Sequence, residues 1–253
     1  MFKMNTGEGT YKYVQRLILE RAARNLIYTT SSIINISMEA GYECPGDFSR
    51  AFKKLFGFSP SEYRKSRRDY LDYISESAKI EDLISDNKIQ ITLKKFRPVS
   101  VASLRHIGPY EESVETWYKL SKILNHENIN ILYSKAYGIS HDIPNITRPE
   151  KFRMDVSFHI SEKIINKKLT HYMQKKYGII LRTIGNFDNY VSFRILGCHS
   201  LIYPTYNYVY TQWKVNSDAI LKNTHGFEIY YNNPHKTHVD DLLTEVFIPI
   251  SRR

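Results

Sequence analysis

The C-terminal two thirds of this chain is written twice. Arg105-His106-Ile107-Gly108 returns as Arg194-Ile195-Leu196-Gly197 at an offset of 89 residues. Tyr137-Gly138-Ile139 returns as Phe227-Glu228-Ile229 at an offset of 90, one residue being gained inside the second copy. Pro144, Thr147, Glu150 and Asp155 recur as Pro234, Thr237, Asp240 and Glu245. A duplication restricts the fold severely, because both copies must adopt one unit and bury their apolar faces together. Ile89-Gln90-Ile91-Thr92-Leu93 and Val99 to Leu104 alternate apolar and polar side chains, which is a strand pattern. The spacing predicts two strand–helix–strand–strand units, at about 89–160 and 178–250, related by a pseudo-twofold axis with a cleft between them.

Before residue 82 the periodicity is helical. Ser31 or Ser32 can cap a first helix, and Ile33, Ile36, Ser37 and Ala40 give it an apolar face. Gly41 suits the left-handed closing turn, and Pro45 suits the first position of the next helix. Phe48, Ala51, Phe52 and Leu55 should face a core, leaving Ser49, Arg50, Lys53 and Lys54 outward. Gly57 ends that helix, and Ser59-Pro60-Ser61-Glu62 opens another carrying Arg64, Lys65, Arg67 and Arg68. Two helices joined by a tight glycine turn can place the second in a DNA major groove. Residues 50–68 hold seven Lys or Arg against one acid, Glu62, a local charge suited to phosphate neutralisation.

Whole-chain charge adds less. The net charge is +10, but residues 1–85 carry 13 basic and 11 acidic groups while the remainder carries 23 and 15. The polar stretch Asp82 to Lys88 marks the domain boundary, near residues 82–90. The expected fold class is therefore α+β: an all-α helix-turn-helix domain over residues 1–82, then a two-repeat antiparallel α+β domain over 89–253. Two cysteines, Cys44 and Cys198, do not make a disulfide scaffold and fit a reducing cytosol. No apolar run is long enough to cross a bilayer, and no signal peptide is read. A cytoplasmic location is expected.

The N-terminal segment resembles the DNA-binding domain of the AraC/XylS family of transcription regulators. Gly41-Tyr42, Phe48-Ser49-Arg50-Ala51-Phe52-Lys53, Phe56-Gly57 and Ser59-Pro60-Ser61-Glu62-Tyr63-Arg64 carry the resemblance over about residues 7–66. Tyr13 to Leu17 and Leu19 to Ala23 match that family's linking helix. The outward face and the basic clusters make Ser49, Arg50, Lys53, Lys54, Arg64 and Lys65 the candidate DNA contacts. That family's domain has two helix-turn-helix units. Here the first is expected to be largely missing, with Phe2 to Gly7 as the tail of its recognition helix, through truncation, degeneration or a misassigned start codon. Pro45-Gly46 also departs from the pattern, since neither offers a side-chain donor where that family reads bases. Weak, mainly phosphate-directed DNA binding is the expectation.

In the duplicated half, Asp155 and Glu245 are acids on otherwise apolar strands. Such an acid is costly unless paired, hydrogen-bonded or protonated. Cation capture and proton transfer are its two uses. Trp117, Tyr206, Tyr210, Trp213 and Phe227 are candidates for a cleft wall, where aromatic faces beside a carboxylate suit a flat or greasy cation. The alternative for the aromatics is plain core, and for Asp155 a hydrogen bond at a strand end.

Residues 89–250 resemble the GyrI-like effector-binding domain, the tandem SHS2 module of multidrug-responsive regulators. Arg105 to Glu112, Trp213, Phe227-Glu228-Ile229-Tyr230, Asn233-Pro234 and Thr244 to Ile250 carry it. The resemblance implies a cleft between the repeats for hydrophobic, often cationic compounds, with Glu245 inside it. Gly197-Cys198-His199 departs from the Gly-Pro-Tyr of the first copy and changes one wall.

Three functions follow from these features. The leading one is a non-enzymatic, AraC-type regulator that senses a small molecule through its C-terminal domain. Its expected partners are double-stranded DNA, the effector and RNA polymerase, with no membrane partner and no cofactor. The second is a sequestering protein without useful DNA recognition. The third is a GyrI-like hydrolase with Glu245 as general base. The scattered histidines, His235 and His238 included, argue for no metal.

Overall fold

The computed structural model describes residues 8–131, 135–143, 146–214, 217–222 and 224–252. At 71, 74–77 and 252 it describes the backbone alone. Phe2 to Gly7, assigned above to a recognition-helix tail, lies outside the described residues, as does Pro144 of the repeat. The chain divides into two compact units, up to Ser77 and from Ala78 onward.

The first unit is helical: α1 (Thr10–Tyr28), α2 (Ile33–Glu39), α3 (Pro45–Phe56) and α4 (Pro60–Ser77). Ser32 caps α2 by accepting from the Asn35 amide at 3.1 Å. Gly41 and Gly57 turn the chain after α2 and α3 at φ of +80° and +83°, where any Cβ would be strained. At the head of α4 the Ser59 amide donates to Glu62 Oε2 at 2.9 Å, the reciprocal arrangement of a capping box. The core is aromatic: Phe52 lies 5.6 Å from Phe48, 4.5 Å from Phe56 and 5.2 Å from Tyr63, ring centre to ring centre. Phe48, Phe52 and Tyr63 are fully buried, with Leu26 of α1 and Ile36 of α2.

The second unit begins with α5 (Ile80–Ser85), earlier than the expected boundary; its Ile80 is buried in this unit's core. Then come β1 (Ile89–Lys94), β2 (Val99–Ile107), α6 (Ser113–His126), β3 (Ala136–Ser140), β4 (Arg153–His159) and α7 (Lys167–Tyr177). They are followed by β5 (Ile180–Ile184), β6 (Tyr190–Leu196), α8 (Ile202–Tyr208), β7 (Ala219–Leu221), β8 (Phe227–Tyr230) and β9 (Leu243–Arg252). A π-helical turn, Val209–Trp213, continues α8. The strands pair antiparallel in the order β1-β6-β9-β8-β3-β4-β2-β5, with β7 added on β9.

That order is palindromic under the repeat. Exchanging β1 with β5, β2 with β6, β3 with β8 and β4 with β9 reads the same sheet backwards, so the pseudo-twofold axis passes between β3 and β8. The first strand of each repeat is swapped: β1 pairs with β6 of the second copy and β5 with β2 of the first.

Side chains alternate across a strand, so register assigns the two faces. One face carries Ala102, Leu104, Met154 and Val156 under α6 and α7, and Val191, Phe193, Val246 and Ile248 under α8. The opposite face carries Val101, Tyr137, Ile139, Tyr190, Phe227, Ile229 and Phe247, packed by Phe96 and Phe187 from the β1–β2 and β5–β6 connections and by Val99 at the start of β2.

Candidate functional site

On the helix-covered face, the junction of the repeats falls between the two helix-capped cores. There Gly138 of β3 lies opposite Glu228 of β8, and Ala136 opposite Tyr230. A Cβ on Gly138 would sit 2.8 Å from Tyr230 Oη and 3.2 Å from Glu228 Oε2. Glycine is what lets the Glu228 carboxylate and the Tyr230 phenol lie over the sheet at that point. Tyr230 donates a short hydrogen bond to Glu228 Oε2, and the Tyr110 and Tyr230 hydroxyls are 2.9 Å apart.

The remaining wall comes from matching places in the two repeats. Tyr110 opens the short turn after β2, and His199 opens the turn after β6. The His199 ring is 5.4 Å from that of Tyr230. Trp117 of α6 meets Tyr230 edge-on at 5.8 Å. Tyr206 of α8 packs on Phe193 at 5.1 Å and feels the charge of Glu228.

Glu228 is 3% exposed, and no Lys, Arg or His forms an ion pair with it among the described residues. Burial pushes its carboxyl above the ordinary range, opposed by the Tyr230 hydrogen bond. Burial and the charge of Glu228 push Tyr230 and Tyr206 well above the phenol range. Burial lowers His199, which favours its neutral imidazole. A buried acid without a cationic partner, ringed by aromatic edges and faces, is relieved by a cation that displaces little water.

Of the residues expected in the cleft, Trp117 meets the Tyr230 ring and Tyr206 feels the charge of Glu228. Tyr210 and Trp213 pack on the α8-side core. Asp155, Glu245 and Phe227 are corrected to the opposite face. Phe227 stacks on Phe247 at 4.9 Å, and Glu245 pairs across the ladder with Arg194 and Ile229. Because the side-chain period is two, Glu245 and Glu228 cannot share a face in this register. Both Glu245 oxygens are held: Oε1 by Lys94 and a short bond from Ser192, Oε2 by the Tyr231 hydroxyl at 2.7 Å. Glu228 and Tyr230, quoted above only as matching residues, become site residues here, joined by Tyr110 and His199. The available signal was parity: Glu228 sits between Phe227 and Ile229, so it must face away from whichever core they fill.

In the helical unit, Arg50, Lys53, Lys54 and Lys65 are exposed, Arg50 beside Asp47. Ser49 donates back to the Pro45 carbonyl at 2.9 Å. Arg64 is otherwise engaged: Nε donates to the Leu26 carbonyl at 3.1 Å and Nη2 to that of Ser31 at 2.6 Å. Arg68 does the same to Ile27 and Thr29, and Arg67 lies over the Tyr63 ring at 5.4 Å. The two arginines thus satisfy the Leu26 and Ile27 carbonyls left open in the last turn of α1, reach those of Thr29 and Ser31 beyond it, and complement the helix dipole. Arg64, expected at the DNA, is corrected to this clamp.

Comparison with known proteins accords with both units. Residues 89–251 match the GyrI-like small molecule binding domain, and residues 1–66 match a helix-turn-helix domain. The chain belongs to the GyrI-like family and carries an AraC-type helix-turn-helix domain at its N-terminus. The transcriptional activator RhaR of Mannheimia succiniciproducens is 41% identical over 64 residues, which are 25% of this chain and 23% of that protein. The lactose operon transcription activator of Staphylococcus xylosus is 39% identical over 64 residues, again 25% and 23%. The chain thus spans about a quarter of the length of these curated relatives. Among solved structures, EcmrR in its DNA complex superposes with a TM-score of 0.54 at 16% identity, over 91% of this chain and 80% of that one. The EcmrR C-terminal domain gives 0.51 at 16% identity, over 65% and 99%. At that identity the likeness is one of fold. No helix among the described residues is long and apolar enough to cross a membrane.

Proposed function

We propose that this chain is a cytoplasmic, non-enzymatic transcription regulator whose GyrI-like unit binds a hydrophobic cation, acting on DNA beside RNA polymerase. The observation that carries the effector half is Glu228, buried without a cationic partner among the described residues and set among Tyr110, Trp117, Tyr206 and Tyr230. The cation replaces the missing counter-charge, and the rings supply its apolar and quadrupolar wall. Lipophilic cations of varied shape share that chemistry, which is why a multidrug-sensing role fits.

On the DNA side, Arg50, Lys53, Lys54 and Lys65 supply phosphate contacts, with Ser49 at the base-facing side of α3. Pro45-Gly46 offers no side-chain donor, so sequence reading is weak and salt dependence strong. An effector then changes transcription only to the extent that it binds two states of the protein differently.

The test is titration of crystal violet, an aromatic cation, followed by quenching of intrinsic fluorescence. The wild type binds saturably, and Glu228→Gln weakens binding at least tenfold while Glu245→Gln, if folded, leaves it within twofold. Equal binding by wild type and Glu228→Gln would overturn the assignment.

A further inference from the structure

The face of the sheet opposite the Glu228 seam holds a charge cluster that this function leaves unused. The Asp155 carboxylate, 1% exposed, is the hub. Arg105 donates to it through Nε, by a short bond, and through Nη2 at 3.3 Å. Arg182 Nη2 donates to Oδ2 at 2.5 Å, and His141 Nε2 lies 2.8 Å from the same oxygen. The His141 ring in turn rests 4.7 Å from that of His225.

The second repeat shows what a balanced version looks like. Glu245, the counterpart of Asp155, has one ammonium partner, Lys94, and two hydroxyl donors. The cluster in the first repeat has two guanidiniums on one carboxylate, and Asp155 is the only acid paired with either among the described residues. Arg105 already satisfies Asp155 from two nitrogens, which leaves the charge of Arg182 in excess. Arg182 Nε is buried without a hydrogen-bond partner among the described residues. Yet the two arginine side chains are 34% and 28% exposed, so part of each is open to solvent. Register puts Lys94 and Arg194 on the same face, and residues 86–253 hold 23 basic against 15 acidic groups.

We propose that Arg105 and Arg182, oriented by Asp155, form a binding site for a small oxyanion, phosphate or carboxylate, on the sheet face opposite the cation seam. Guanidinium forks match the geometry of both anions, and an anion accepting from their outer edges offsets the uncompensated charge. The unit would then take a cation on one face and an anion on the other. The site is independent of the Glu228 reading.

The test is isothermal titration of the full chain with inorganic phosphate and, separately, succinate, at fixed ionic strength and pH. Saturable binding of either, weakened at least tenfold in Arg182→Gln but unchanged in Lys122→Gln, an exposed site on α6, supports the proposal. The binding anion names the class. Absence of saturable binding by both anions, equal binding by Arg182→Gln, or an equal loss in Lys122→Gln overturns it. Should Arg182→Gln fail to fold by circular dichroism, Arg182→Lys takes its place, with at least a threefold weakening expected and wild-type affinity overturning the site. Crystal violet affinity, measured alongside, stays unchanged and separates a failure here from a failure at Glu228.

Discussion

Glu228 is held in a state that folding alone does not favour. Its folded pKa is raised, so its contribution to stability is fully present below the ordinary value of 4.5 and is lost as pH rises through the folded value. Glu228→Gln should therefore raise Tm at pH 7.5, by about 2–4 °C per kcal/mol recovered, while weakening cation binding; calorimetric scans at pH 5 and 7.5 measure it, the gain being larger at the higher pH. Gly138→Ala puts a methyl 2.8 Å from Tyr230 Oη, and titration should show crystal violet affinity falling at least tenfold as the phenol is displaced. The opposite pattern belongs to Arg64. Its loss uncovers the Leu26 carbonyl in the last turn of α1 and the Ser31 carbonyl just before α2, so Arg64→Ala should cost about 1–3 kcal/mol in urea unfolding. It should leave the salt slope of DNA binding unchanged.

The helices and strands are largely legible in the sequence, because each signal is local. Ser32, Gly41, Pro45, Gly57 and the Ser59–Glu62 pair bound α2, α3 and the start of α4 as read. Less legible was the use of the basic run. Seven cations look alike in a sequence, but only the packing of α4 on α1 shows that Arg64 and Arg68 serve backbone carbonyls while Lys53 and Lys54 stay exposed. Lys53→Gln with Lys54→Gln should lower the slope of log K against log salt by about 1 per phosphate contact removed. A fluorescence-anisotropy titration of a random duplex across 50–200 mM salt, the range over which such contacts show, reads the change. Phe52, buried among three aromatic rings, carries the helical unit's stability; Phe52→Ala should cost about 3–5 kcal/mol in chemical unfolding of that unit.

The duplication gave the sheet its symmetry, and the palindromic strand order is its outcome. What local alternation could not supply was the partner of each strand. A strand pattern says which residues share a face, never which neighbour it joins, so the exchange of β1 and β5 between repeats stayed hidden. Acid stability follows from the assembled sheet. Asp155 and Glu245 are pushed up by burial, but His141 and Arg105 at the first and Lys94, Ser192 and Tyr231 at the second bring both below their ordinary 3.8 and 4.5. Their contribution is present above those values and is lost as pH falls through the lower folded ones, so Tm should drop steeply below about pH 4.

By itself the sequence determined two units, a helix-turn-helix and a duplicated sheet, since caps, turns and periodicities act over a few residues. It determined too that buried acids would matter. Which acid faces the aromatic seam was decided only when β3, β8 and β9 came into register. Side-chain parity is local, but the identity of the covered face is a property of what packs on it.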